Sequence, residues 1–244
     1  MERIAQQDGS FILYEDSRAN QPDPAWFDPG HWPDAAKTPG KAGGRGPALF
    51  IRCAGQDCVL RHYYRGGQAA RLTRDRFLWL GPERVRSFAE WRLLRHLHVA
   101  GLPVPQPFAA RYIRSGLFYT ADLITVRLPG VTPLSLRLAA GEASESLLGR
   151  VGACVGRFHA AGVDHADLNA HNLQVGADDE IFLLDFDRGQ QHATAGAWCA
   201  DNLSRLRRSL LKISGIGDWR FEPRHWETLV AGYRSTCPDQ SPRR

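Results

Sequence analysis

No stretch of 18 or more apolar residues occurs anywhere in the 244-residue sequence, so no segment reads as a membrane-spanning helix. The first ten residues carry acids and glutamines where a secretory leader needs an apolar core, and the expectation is a cytoplasmic protein. Cysteine is sparse. Cys53, Cys58, Cys154, Cys199 and Cys237 are odd in number and never spaced C-x-x-C. That pattern argues against a disulfide framework or a zinc site, and for free thiols in a reducing compartment. No internal repeat or low-complexity block is present, which excludes solenoid architectures. What is there is the composition of an ordinary globular chain, 43% hydrophobic and 23% charged, long enough for one large domain or two small lobes. Basic residues number 31 and acidic residues 26, leaving a net charge of +5. Such an excess suits an anionic partner, whether nucleotide, phospholipid surface or nucleic acid, without choosing among them. Arginine dominates the basic set, and its planar fork matches phosphate.

Residues 17–47 are rich in Pro, Gly and Asp, have no apolar period, and read as loop ending in Gly43-Gly44-Arg45-Gly46. Segments 49–52 and 58–63 flank a Gly55-Gln56-Asp57 turn and predict a β-hairpin. From 84 to 99, Val85, Phe88, Trp91, Leu94 and Leu97 recur at helical spacing, and Ala100-Gly101 followed by Pro103, Pro105 and Pro107 ends the helix. Strands are expected at 108–113 and 117–125. Beyond Pro129-Gly130 the pattern turns helical, at 132–140, 145–161, 198–213 and 225–233, interrupted by a small hairpin of 173–175 and 181–184. A strand-rich half with one helix thus precedes a helical half with one hairpin. That order suits two lobes, 1–125 and 126–244, joined near residues 125–131 around a ligand cleft.

The sharpest signal is His165-Ala166-Asp167-Leu168-Asn169-Ala170-His171-Asn172, followed by Phe182-Leu183-Leu184-Asp185-Phe186-Asp187. An Asp and an Asn lie five residues apart in a polar loop after a helix, and a second Asp ends an apolar strand downstream. Phosphoryl transfer needs such a set: one carboxylate to receive the acceptor proton, and hard oxygens to hold magnesium against nucleotide phosphates. A lone D-x-x-x-x-N would more often cap a turn. Three elements in register favour chemistry over capping.

The set resembles the catalytic loop H-R-D-L-x-x-x-N and the metal-binding D-F-G of the protein-kinase superfamily. That resemblance implies an α+β, two-lobed protein-kinase-like fold, with a small antiparallel-sheet lobe carrying one helix and a mainly helical second lobe. It implies Asp167 as catalytic base, Asn172 and Asp185 as magnesium ligands, and ATP as donor. Gly44 and Gly46 stand where a truncated glycine-rich loop would approach phosphates, although a plain flexible loop reads equally well. Arg61 occupies the position of the third-strand lysine, with exposed strand residue as the other reading. Glu90 on the helix is expected to form an ion pair with Arg61, against the alternative of a water-facing glutamate. His165 reads as structural, packed beneath the loop. Ala166 replaces the arginine of H-R-D, and no A-P-E-like segment follows. Control by activation-loop phosphorylation and ordinary peptide recognition are therefore not expected. Asp187 reads either as a further magnesium ligand or as a helix cap.

A fuller resemblance runs from about residue 44 to about residue 211. Arg61-His62-Tyr63-Tyr64-Arg65-Gly66-Gly67, Arg76-Phe77-Leu78-Trp79, Gly101-Leu102-Pro103-Val104-Pro105 and the two motifs above are similar to the bacterial 3-deoxy-D-manno-octulosonic acid (Kdo) kinases. Arg61 in the lysine position agrees with that family. The resemblance implies ATP-dependent phosphorylation of the Kdo 4-hydroxyl during lipopolysaccharide inner-core synthesis. The acceptor would be a Kdo-bearing lipid A precursor at the cytoplasmic face of the anionic inner membrane. Arginines at 71, 74, 76, 84 and 86, or at 205, 207 and 208, would meet its phosphates, unless they are ordinary solvated faces. A heptose kinase of the same pathway and a small atypical protein kinase are the nearest alternatives. A nucleotide-binding scaffold and a nucleic-acid-binding module come from other classes. The intact acidic set argues against the first, and the lack of any nucleic-acid-binding motif argues against the second.

Overall fold

A computed structural model describes residues 1–16, 22–37, 48–65 and 74–238. They form an antiparallel, mixed α/β architecture with five α-helices among the described residues. The chain divides into two compact units, residues 1–95 with 106–127, and residues 96–105 with 128–244.

The first unit begins with a hairpin that the apolar pattern did not announce. Strands β1 (Glu2–Gln7) and β2 (Ser10–Glu15) pair around Asp8 and Gly9, whose φ values of 49° and 74° are those of a tight two-residue hairpin turn. Strands β3 (Leu49–Cys53) and β4 (Gln56–His62) form the expected hairpin. Beyond a two-residue strand β5 (Phe77–Leu78), helix α1 (Arg86–Val99) leads to β6 (Pro107–Ser115) and β7 (Phe118–Val126). The sheet order is β1-β2-β6-β7-β4-β3, with β5 on β7. One face is apolar and buries Ile12, Phe27, Ile51, Leu60, Phe108 and Ile124 in a single cluster. Period-2 alternation in β3, and in β4 from Cys58 onward, delivers those side chains to one side. A polar row crosses the same strands. His62 and Arg111 are both register partners of Asp122, and both bond its carboxylate. Arg111 also donates to the carbonyls of Pro24 and Phe27, pinning part of the segment read as loop.

In the second unit, Thr132 and Pro133 form β8 instead of opening a helix, and α2 runs over Leu134–Ala139. Proline fixes φ and offers no N–H, so the helix starts after it. Helix α3 (Glu145–Ala160) is capped by Ser144, whose hydroxyl accepts from the Leu147 N–H at 3.0 Å. Strand β9 (Val163–Asp164) pairs with β12 (Gln190–Gln191), and β10 (Leu173–Val175) lies between β11 (Ile181–Leu183) and β8. Helix α4 spans Trp198–Ile213. Helix α5 starts two residues earlier and ends three later than the apolar pattern suggests, at Pro223–Thr236. Helices α3 and α5 approach so closely that a Cβ at Gly152 would lie 1.9 Å from the Leu229 carbonyl oxygen. All five cysteines are buried thiols.

Candidate active site

The Asp167–Asn172 loop closes on itself through side-chain amides. Asn169 Oδ1 accepts from the backbone N–H groups of His171 and Asn172 at 2.9 and 3.2 Å. The Nδ2 groups of Asn169 and Asn172 both donate to the Asp167 carbonyl, at 2.9 and 2.8 Å. An Asn that bonds its own backbone two residues on mimics a turn, which is why Asn and not Leu occupies position 169. Leu168 and Ala170 are buried and anchor the loop from beneath. Ala170 accepts from the Ser135 N–H at the start of α2 and donates to Ser209 Oγ on α4, both at 3.1 Å. Two helices therefore clamp the loop.

The β10–β11 hairpin brings the other two oxygen donors to the same place. Leu173 faces Leu183 in register, and Leu184 donates its N–H to the Asn172 carbonyl at 2.9 Å. Asn172 thus sits opposite Leu184, and Asp185 is the next residue. Asp185 has φ of 68°, a left-handed conformation that Asp tolerates better than branched residues do. Phe186 holds that turn, buried between the rings of Phe158 at 5.7 Å and His165 at 4.9 Å. His165 couples loop to hairpin. Its Nδ1 accepts from the Asp167 N–H at 3.2 Å, and its Nε2 lies 2.9 Å from the Leu184 carbonyl oxygen. These partners fit only the neutral tautomer protonated at Nε2, so the buried imidazole positions the loop, as the sequence suggested. Asp187 caps no helix, since the next one begins at Trp198 with Ala197 as its N-cap.

Asn172 is fully buried, and its Nδ2 is committed to the Asp167 carbonyl, which orients the amide. The remaining protein donors at this spot, an amide oxygen and a carboxylate, are hard ligands suited to magnesium. Among the described residues no cluster of three or more His, Cys, Asp or Glu could hold a metal. One amide oxygen and one carboxylate suit an ion that takes most of its ligands from phosphate and water, as magnesium does.

In the first unit, Arg61 on β4 and Glu90 on α1 form the expected ion pair, Nη2 to Oε2, at 2.5 Å. Glu90 is buried, so the water-facing reading of it fails. Tyr63, which the sequence reading gave no role, donates its hydroxyl to Glu90 and accepts from Arg61 at 3.0 Å. Its place two residues after Arg61, one residue past the end of β4, was the available signal. Gly44, Gly46 and Arg71 lie outside the described residues. Sequence reasoning also assigned nothing to Ser209, which is recognisable only once α4 is seen against the loop.

Loop, hairpin end and hard-oxygen donors together have the chemistry of a phosphotransferase. The family model described as lipopolysaccharide kinase (Kdo/WaaP) family matches residues 30–233. A protein of Stenotrophomonas maltophilia (strain K279a) named 3-deoxy-D-manno-octulosonic acid kinase is 46% identical over 205 residues, covering 84% of this chain and 81% of the relative. Proteins with the same name from Xanthomonas axonopodis pv. citri (strain 306) and Xanthomonas campestris pv. campestris (strain B100) are also similar. The first is 48% identical over 206 residues, 84% of this chain and 81% of the relative. The second is 47% identical over 224 residues, 91% of this chain and 88% of the relative. The chain belongs to the lipopolysaccharide kinase (Kdo/WaaP) family.

Proposed function

We propose that the protein is a Kdo kinase that transfers the γ-phosphoryl group of ATP to the 4-hydroxyl of Kdo in a Kdo-bearing lipid A precursor. The observation that carries this reading is the closed loop that presents Asp167 beside Asn172 and Asp185, in a chain nearly half identical to proteins named as Kdo kinases. The fold is read as protein-kinase-like and two-lobed.

In the reaction, the acceptor hydroxyl oxygen bonds to the γ-phosphorus while the bond to the β–γ bridging oxygen breaks and ADP leaves. Asp167 orients the hydroxyl and receives its proton. Asn172 and Asp185 are the residues that would hold magnesium, which would neutralise charge on the phosphates. Arg61, steadied by Glu90 and Tyr63, serves the nucleotide phosphates, with Gly44 and Gly46 as backbone donors. Positioning and fixed charge supply most of the acceleration. No helix among the described residues is long and apolar enough to cross a membrane. We place the protein peripherally on the cytoplasmic face of the inner membrane, where its net charge of +5 favours anionic lipid during inner-core synthesis.

Asp167→Ala tests the assignment, because the backbone carbonyl that accepts from Asn169 and Asn172 is kept in the variant. Nucleotide binding by calorimetry is expected to stay close to wild type while transfer falls about 100-fold or more. Turnover near wild type would reject Asp167 as the base.

A further inference from the structure

Beside Asp167 lies a cleft of about 310 Å³ whose wall is one stripe of α4, and its charge is unbalanced. Arg205, Arg208, Ser209 and Lys212 recur at the i, i+3, i+4 and i+7 spacing of a single helix face. Leu203, Leu206, Leu210 and Ile213 are buried on the other side. The bond from the Ala170 N–H to Ser209 Oγ fixes that stripe against the catalytic loop. His171 completes the lining. Three permanent cations therefore face one carboxylate, that of Asp167.

The protein does little to neutralise them. Arg205 reaches Asp164 only at 3.8 Å, and the Oδ1 it approaches already accepts from Asn202 Nδ2 at 2.6 Å. Arg205 Nε is buried with no hydrogen-bond partner. A buried donor left unmade is expensive unless something else completes it. Arg208 and Lys212 are exposed, and neither is in an ion pair among the described residues. On the same helix Arg207 behaves otherwise and packs over the Trp226 ring at 5.6 Å. The cationic stripe is thus aimed at the cleft and is not a general property of α4.

We infer that this cleft is the acceptor subsite, in which Arg205, Arg208 and Lys212 bind the carboxylate of an ulosonic acid while Asp167 faces a hydroxyl of the same ring. The inference rests on the reading of Asp167 as the acceptor-facing base, and it adds the group that is recognised. A sugar acid is ionised at neutral pH, and an arginine fork pairs with a carboxylate through two parallel hydrogen bonds. A neutral heptose offers these cations hydroxyl oxygens but no opposite charge. The cleft volume is at the lower end for small-ligand pockets and suits one sugar ring. Specificity for Kdo over heptose then comes from charge, because without the anion the partly buried Arg205 keeps an unpaired Nε and the stripe faces no opposite charge but Asp167.

Binding of the free sugar acid Kdo and of its methyl ester, measured by calorimetry on the full chain, tests this. Wild type is expected to bind the acid at least ten times more tightly than the ester. The double variant Arg208→Gln/Lys212→Gln, at exposed positions and with its thermal midpoint checked, is expected to lose most of that preference, leaving Arg205 as the one remaining cation. Arg207→Gln removes a charge from the same helix and is expected to keep the discrimination. Equal binding of acid and ester by wild type would overturn the inference, as would a double variant that keeps the full wild-type preference for the acid. So would inorganic phosphate competing as well as the sugar acid. If wild type binds with the expected pattern yet transfers no phosphate, the kinase reading falls and the subsite stands.

Discussion

At the scale of single residues, the Arg61–Glu90–Tyr63 cluster is a place where one substitution has a large expected effect on stability. Glu90 is 3% exposed, and truncating its cation leaves a carboxylate in a poorly solvated site. Arg61→Ala is expected to destabilise the fold by about 3–5 kcal/mol, read from urea unfolding, with Arg61→Lys recovering part of the loss. An Arg61→Ala midpoint equal to wild type would mean that Glu90 is neutralised by other means. The loop residues were largely legible in the sequence, because Asp167, Asn172 and Asp185 carry recognisable chemistry at fixed spacing. The scaffolding was less so. Tyr63 offered only its two-residue spacing from Arg61, and its bonds to Arg61 and Glu90 appear only in the folded chain. The role of Asn169 depends on two backbone bonds that only the folded turn creates.

At the scale of elements, the α3–α5 pair is built on glycine. A Cβ at Gly152 would meet the Leu229 carbonyl at 1.9 Å, one at Gly156 would meet Thr236 Oγ1 at 2.1 Å, and one at Gly232 would meet the Gly149 carbonyl at 2.0 Å. Gly149 itself has room, with Thr228 Cγ2 the nearest atom at 4.0 Å. Gly152→Ala is expected to cost about 1–3 kcal/mol through forced separation of two backbones. Gly149→Ala is expected to be neutral or stabilising by up to about 1 kcal/mol, from helix propensity alone. Thermal or urea melts of the two variants check this contrast, and equal melts would contradict the packing. Neither glycine stood out in a reading that tracked Leu147, Val151, Val155 and Phe158, because apolar periodicity registers what is large and misses close approach. Hairpin β1–β2 escaped for a related reason. Its first strand, Glu-Arg-Ile-Ala-Gln-Gln, is too polar to alternate, although Asp8-Gly9 is a strong turn signal. Helix α4 was legible over its whole length because its apolar stripe has no gap.

For the whole molecule, one buried histidine sets a pH dependence. His159 is 1% exposed, and burial pulls its pKa from 6.5 down to about 4. Its Nδ1 lies 3.0 Å from the Tyr233 hydroxyl, linking α3 to α5. The folded protein holds this ring neutral, whereas the unfolded chain protonates it near the ordinary value. The associated stability is therefore fully present above pH 6.5 and is lost as the pH falls toward 4, by roughly 3 kcal/mol. His62 runs the other way. Burial opposes its charge, but the Asp122 and Asp75 carboxylates outweigh that and raise its pKa, so its contribution is lost as the pH rises through the folded value. Urea midpoints of wild type and His159→Gln across pH 4–7 separate the two, and an unchanged acid slope in the variant would contradict the assignment to His159.

The most direct test of the central claim is mass spectrometry of a Kdo-bearing lipid A precursor after incubation with the protein, ATP and magnesium, with fragmentation and NMR locating the new group. One added phosphoryl group on the Kdo ring, at the 4-hydroxyl, is predicted. An unmodified precursor beside a phosphorylated heptose-bearing core or peptide would contradict it.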